Sequence, residues 1–245
     1  MANYLINAGT GGIALSLVEK LLGAGHKVFI TGRNRAKVDA VTKKFNISGA
    51  ALDLTDFIEV NNSFDLAKKT IGPLYGVVNC AGSLLLKPAH LTSQAEYDTI
   101  LDANLKTAFA VVAAAGKHLS ENGGSVVLVS SAAAIAGIAN HEAIAAAKGA
   151  IISLALSAAA TYASSHIRFN VVAPGLVESE LTDALVSNIL AKKASIAMHA
   201  MGRLGTPKDI ASAIFFFLDS ENSWVTGQVL AIDGGLSKLH PKIKL

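Results

Sequence analysis

The stretch Tyr4-Leu-Ile-Asn-Ala-Gly-Thr-Gly-Gly-Ile-Ala-Leu-Ser-Leu-Val-Glu-Lys-Leu-Leu22 decides the fold. Its apolar run Tyr4 to Ile6 reads as a short strand, Asn7 to Gly12 as a glycine-rich turn, and Leu15 to Leu22 as an amphipathic helix. Outward from there, the same alternation continues along the chain. The spacing predicts further strands at Lys27–Thr31, Gly49–Leu52, Gly76–Asn79, Ser125–Ser130, Arg168–Ala173 and Gln228–Ile232, with helical segments between most of them. Short strands separated by helices imply a parallel sheet, reached through right-handed crossovers and covered on both faces. The expected architecture is doubly wound α/β with seven parallel strands.

No Pro/Gly/Ser-rich linker or fixed repeat breaks the pattern, and 245 residues at 51% hydrophobic composition suffice for one large core, so residues 1–245 are expected to form a single domain. The helical segments Gln94 to Leu119 and Ala143 to Ala163 carry small residues on several faces, which suits packing between subunits; a homo-oligomer, dimer or tetramer, is expected. Apolar stretches such as Thr107 to Ala115 and Ala211 to Leu218 fall short of the roughly 18 residues that span a bilayer, so no membrane is expected. Met1 to Ile6 has no basic segment followed by a long apolar one, and the protein is read as cytoplasmic. Cys80 is the single cysteine and lies in an apolar run, where it reads as a buried thiol; a disulfide framework is excluded. The net charge of +3 is spread along the chain apart from Lys238, His240, Lys242 and Lys244, which read as a solvated tail rather than a nucleic-acid surface. No metal site is expected.

A glycine turn between a strand and a helix lets backbone N–H groups approach a pyrophosphate, which the positive end of the helix dipole also favours. Gly9-x-Gly11-x-x-Ala14 fits the dinucleotide fingerprint G-x-G-x-x-G/A, with Thr10, Gly12 and Ile13 in the same turn. At the end of the second strand, Thr31-Gly-Arg-Asn-Arg35 lacks the acidic residue that would hold a ribose 2′-hydroxyl. Arg33, with Asn34 beside it and Arg35 following, can instead pair with a 2′-phosphate, which favours NADP(H) over NAD(H).

Ordered motifs along essentially the whole chain resemble the short-chain dehydrogenase/reductase family, whose fold is Rossmann-like. Asp53-Leu54 resembles its adenine contact, and Asn79-Cys-Ala81-Gly82 resembles its Asn-Asn-Ala-Gly element. Pro174-Gly175 followed by Ser179 resembles Pro-Gly-x-x-x-Thr, which holds the nicotinamide carboxamide. Gly202-Arg-Leu-Gly-Thr-Pro-Lys-Asp-Ile, Trp224-Val-Thr-Gly-Gln-Val and Asp233-Gly-Gly match the family's end, and the C-terminal half is similar to bacterial-type 3-oxoacyl carrier-protein reductases. Departures fall at two places. Against the pattern Thr-Gly-x-x-x-Gly-x-Gly, Asn7, Ala8 and Ala14 replace three of the four defining residues, and only Gly12 stays. In the family a serine also precedes Tyr-x-x-x-Lys by thirteen positions, and counting from Ser131 puts Ile144 in the tyrosine's place and Lys148 in the lysine's.

The resemblance implies that Ser131 hydrogen-bonds a substrate carbonyl, Lys148 binds the nicotinamide ribose, and Asn104 interrupts a central helix to hold a proton-relay water. Carbonyl reduction needs a hydride from the cofactor and a proton from a positioned acid, and Ile144 cannot exchange a proton. Tyr162 lies about 27 Å further along a continuous helix, which removes it. His141, Ile144 and Lys148 share one helix face, while Glu142 points elsewhere, so His141, as a neutral N–H donor in the first helical turn, or a relayed water is the replacement. The lean of helical side chains toward the N-terminus opposes this by turning His141 away from Ile144, and the alternative reading of His141 is a helix-cap or surface residue. The expected function is an NADP(H)-dependent oxidoreductase acting on a carbonyl or alcohol substrate. A catalytically inactive nucleotide-binding sensor or scaffold, and a subunit that binds no nucleotide, remain as alternatives. Residues 176–203, with Leu181, Leu185, Ile189, Leu190, Ile196 and Met198, are expected to cap the site with an apolar wall suited to a lipophilic or acyl compound.

Overall fold

Strands β1 (Asn3–Asn7), β2 (Lys27–Gly32), β3 (Ser48–Ala51), β4 (Gly76–Asn79), β5 (Gly124–Val129), β6 (Ile167–Pro174) and β7 (Val229–Ile232) run parallel in one sheet, ordered β3-β2-β1-β4-β5-β6-β7. The structure, a computed structural model, describes residues 1–240; Lys242 and Lys244 of the basic tail lie outside the described residues. All seven predicted strands are present, each end within one residue of its expected place. The helices are α1 (Gly12–Gly23), α2 (Arg35–Phe45), α3 (Phe57–Ile71), α4 (Gln94–Leu101), α5 (Thr107–His118), α6 (Glu142–Thr161), α7 (Asp183–Val186), α8 (Ile189–Met198) and α9 (Pro207–Leu218).

Successive side chains on a strand point to opposite faces. Leu5, Phe29, Val77, Val126 and Phe169 therefore meet α3, α5 and α6 in one core. Their neighbours Ile6, Val28, Val78 and Val127 meet α1, α2 and α9 in the other. Phe29, Phe64, Phe169 and Phe217 are fully buried, and truncating any of them to alanine costs about 3–5 kcal/mol. Order along the sheet reverses between β1 and β4, whose last residues Asn7 and Asn79 are register partners. Ligands of doubly wound sheets bind at this reversal, beyond the C-terminal strand ends.

Two predicted elements differ. The segment Gln94 to Leu119 is not one helix: Asp102–Lys106 forms a π turn between α4 and α5. Buried Asn104 donates its amide to the Ile100 carbonyl at 2.9 Å, and this competition with the helix ladder accompanies the local widening. The expectation of only short apolar stretches overlooked α6, whose 20 residues include an 18-residue stretch of mean hydropathy 1.7, long and apolar enough to cross a membrane. Here it is the β5–β6 crossover, with Ile151, Ala155 and Ala158 packed into the core.

Residues 176–203 fold into a short 3-10 turn (Glu180–Thr182), α7 and α8, and neither helix has a fully buried residue. This segment is anchored at its end by His199, which is buried. Its Nδ1 donates to the Ser195 carbonyl at 2.6 Å, and its Nε2 accepts from the Leu176 N–H at 3.2 Å.

Candidate active site

The loop after β1 lies tight against β2. Gly9 N–H donates to the Thr31 carbonyl at 2.7 Å, and a Cβ on Gly9 would stand 2.6 Å from Ile30 Cβ, so only glycine permits this approach. Ala8 has φ 54°, in the left-handed region, at roughly 1–2 kcal/mol for a residue that carries a Cβ. Ala14 is fully buried among the core residues beneath the loop. Among the described residues no side chain caps the start of α1 and its first turn holds no acidic residue, whereas Asn34, Asp56 and Thr206 cap α2, α3 and α9. The free N–H groups of α1 thus border a cavity of about 560 Å³. Thr10 to Ile13 line it on one side, Arg33, Asn34 and Lys37 at the end of β2, and Asp53 to Thr55 after β3. The Asp53 carboxyl is held below the usual carboxylate range, first by the Thr55 backbone N–H and then by its hydroxyl, with Arg33 adding to the effect.

Cys80, Ala81, Gly82 and Ser179 line both this cavity and a second one of about 410 Å³. Ser131, His141, Ile144, Lys148, Pro174 and Gly175 face the second, roofed by apolar residues of the 176–203 segment. Lys148 is 6% exposed; its Nζ donates to the Val129 carbonyl at 2.9 Å, and burial pulls its pKa down to about 8. Among the described residues its other two protons have no partner. A Cβ on Gly82 would lie 3.2 Å from Lys148 Nζ and 2.9 Å from Asn104 Oδ1, so glycine keeps open the space in front of both. The Asn104 amide donates to Ser83 Oγ at 3.1 Å and its Oδ1 accepts from Ser83 N–H at 3.3 Å. Ser130 Oγ donates to the Lys148 carbonyl at 2.8 Å, tying α6 to the end of β5. Ser131 Oγ accepts from Ala133 N–H at 3.2 Å, which leaves its own proton for the cavity. Ile144 is 3% exposed and packs with Ile100, Ala143 and Ala147. Burial pushes the Cys80 thiol up to about 12, which excludes it as a nucleophile at neutral pH.

Residues 8–237 match the family model described as Enoyl-(Acyl carrier protein) reductase. 2-(S)-hydroxypropyl-CoM dehydrogenase 3 of Xanthobacter autotrophicus is 32% identical over 246 residues, covering 96% of this chain and 96% of that protein. The chain belongs to the short-chain dehydrogenase/reductase family. A second Xanthobacter autotrophicus member, an inactive 2-(S)-hydroxypropyl-CoM dehydrogenase 2, is 34% identical over 88% of this chain and 97% of its own length. Among solved short-chain dehydrogenase/reductase structures, ElxO with NADP bound superposes with a TM-score of 0.90 at 31% identity, covering 96% of this chain and 99% of ElxO.

Within this short-chain dehydrogenase/reductase frame, two expected cofactor residues line neither cavity. Gly9 spends its missing side chain on Ile30, and the buried Asn79 accepts from Ala81 N–H at 3.2 Å. Arg35 turns to Asp39 on its own helix, 4.0 Å away, and does not join Arg33. His141 is the N-cap of α6, the helix-cap position of its alternative reading, and it also lines the reacting cavity. Its Nδ1 donates to the Ala139 carbonyl at 2.7 Å, so the neutral ring keeps a bare Nε2 and cannot serve from that atom as the expected neutral N–H donor. Sequence reasoning passed over Lys37, Ser83, Ser130 and His199. Lys37 was findable as a cation one helical turn after Arg33; the other three depend on contacts 18 to 23 residues distant in sequence.

Proposed function

We propose that this chain is an NADP(H)-dependent oxidoreductase that interconverts a neutral, apolar carbonyl compound and its alcohol. One observation carries the reading: Ser131, His141 and Lys148 line one cavity that shares Cys80 to Gly82 and Ser179 with the nucleotide cleft. The residues present fit the cofactor, because α1 is uncapped, Gly82 leaves room before Lys148, and two Lys148 protons await acceptors. Thr10 to Ile13 would hold the pyrophosphate, Arg33 and Asn34 a 2′-phosphate, and Asp53 and Leu54 the adenine. Ala81 and Gly82 would border the riboses, Lys148 would bind the nicotinamide ribose, and Pro174, Gly175 and Ser179 the carboxamide. ElxO with NADP bound supports NADP(H). The bound cofactor supplies or accepts the hydride.

The protein's own groups handle the oxygen. Ser131 donates its hydroxyl proton to the substrate oxygen and polarises it. His141, with Nδ1 anchored on Ala139, uses Nε2: it accepts the proton of an alcohol during oxidation and, as imidazolium, returns it to the developing alkoxide during reduction. Asn104 and Ser83 hold the loop at Gly82 open beside Lys148. Among the described residues the reacting cavity has no carboxylate or guanidinium lining, and Leu84, Leu86, Ile138, Leu185 and Met198 are in its wall, which supports an uncharged lipophilic substrate. Phe109 on α5 and Leu156 on α6, about half exposed, support association of copies through these helices.

NADPH oxidation against a panel of long-chain ketones and aldehydes tests the reading. Turnover that falls at least about 100-fold in Ser131→Ala and His141→Ala is expected. Tight NADPH binding with no turnover on any carbonyl would favour the second reading, a nucleotide-binding protein without catalysis. Buried Ile144, which carries no hydroxyl, and the inactive relative support that alternative.

A further inference from the structure

Lys37 and Glu180 meet across the mouth of the nucleotide cleft, although 143 residues separate them. Lys37 belongs to the first turn of α2, and Glu180 to the turn that begins the 176–203 segment. Lys37 Nζ lies 2.5 Å from Glu180 Oε1, and both residues line the cavity beside Arg33. On the other side Lys192 Nζ lies 2.6 Å from Glu178 Oε1, so the start of the lid is held by one cation from α2 and one from α8. The Lys37 and Glu180 side chains are 50% and 74% exposed, which makes their pair weak and exchangeable.

We infer that the Lys37–Glu180 pair is a latch for which a 2′-phosphate competes. The inference rests on the nucleotide reading above and extends it to two residues outside the glycine loop. A phosphate monoester brings about 1.5–2 negative charges and three acceptor oxygens, against one charge on a carboxylate. Beside Arg33 and Lys37 it outcompetes Glu180, whereas a ribose 2′-hydroxyl brings no charge and leaves the pair closed. Lys37 thereby discriminates NADP(H) from NAD(H), Glu180 lowers affinity for the phosphorylated cofactor only, and its release loosens the first turn of the lid.

Calorimetric titration of the full-length protein with NADPH, NADH, 2′,5′-ADP and inorganic phosphate tests this, using wild type, Glu180→Gln, Lys37→Gln and the double variant. At low salt Glu180→Gln is expected to tighten NADPH and 2′,5′-ADP about two- to five-fold and to leave NADH unchanged. Lys37→Gln weakens both phosphorylated ligands about ten-fold without affecting NADH, and Glu180→Gln has no further effect in that background. A Glu180→Gln effect that is absent, equal for NADH, or retained in the double variant overturns the latch. Inorganic phosphate binding as tightly as 2′,5′-ADP also overturns it, in favour of a free-anion site. Tryptic cleavage after Lys192 or Lys193, read without nucleotide, should be about two- to five-fold faster in Glu180→Gln. An unchanged rate refutes the lid contact, while failure of wild type to bind either dinucleotide refutes the nucleotide reading separately.

Discussion

At the nucleotide end of the cleft, Asn7, Ala8 and Ala14 stand where the family pattern has a threonine and two glycines, yet the loop still packs on β2 and α1 still begins uncapped. At the reacting end the spacing counted from Ser131 puts the buried Ile144, which has no proton to donate, where the family resemblance places a tyrosine. The two ends differ because one is built mainly from backbone and the other from side-chain atoms. Backbone shape is shared among many residues: Gly9 against Ile30, the Gly9–Thr31 hydrogen bond, and buried Ala14 each hold part of the loop. Proton transfer instead needs an ionisable atom within reach of the substrate oxygen, the role proposed for His141 Nε2.

The reacting end should therefore be the more fragile in function. Ser131→Ala and His141→Ala are each expected to lower turnover by about 10²- to 10³-fold while changing NADPH affinity less than two-fold, as steady-state rates and titrations would read. A parallel loss of nucleotide affinity would erase the contrast between the ends. Lys148 links them. Its folded pKa of about 8 lies below the ordinary 10.5, so between those pH values the unfolded chain holds a proton that the folded chain does not. Stability attributable to this residue therefore rises from pH 8 toward pH 10.5, by up to about 3 kcal/mol, and is withheld below pH 8. Lys148→Met should remove that rise in denaturant melts and stabilise the protein near neutral pH by about 1–3 kcal/mol, while weakening nucleotide binding. A variant with the wild-type pH profile would contradict the buried, poorly partnered ammonium.

Smaller effects sharpen the comparison. Ile144→Tyr restores a hydroxyl at the cost of overpacking a pocket shared with Ile100, Ala143 and Ala147, at about 1–3 kcal/mol. Turnover in that variant should rise about ten-fold and no longer depend on His141; continued dependence would mean that Ile144 is not the space the donor left. Ala8→Gly relieves the left-handed alanine and should raise the melting stability by about 1 kcal/mol with no change in NADPH affinity. A several-fold gain in affinity would instead show that the alanine methyl does obstruct the phosphate.

Much of this arrangement was legible in the sequence because it is written at short range. Strand ends, the glycine turn and the spacing from Ser131 to Lys148 are local patterns, and parallel pairing follows from the alternation of strands with helices. What stayed hidden depends on distant chain segments meeting. Asn104 distorts its helix in contact with Ser83, His199 ties the end of the 176–203 lid back to its start at Leu176, and Lys37 reaches Glu180 on the lid. The hydrogen bond of His141 stayed hidden for a related reason: its Nδ1 meets the Ala139 carbonyl, which only the turn before α6 brings into place.

The most direct test of the central claim, that the nucleotide end remains competent despite its altered loop, is a titration of purified protein with NADPH and NADH followed by nicotinamide fluorescence and binding heat. Micromolar NADPH binding with clearly weaker NADH is the predicted result. Absence of binding by either nucleotide at millimolar concentration would contradict the account, and with it every role assigned here to Ser131, His141 and Lys148.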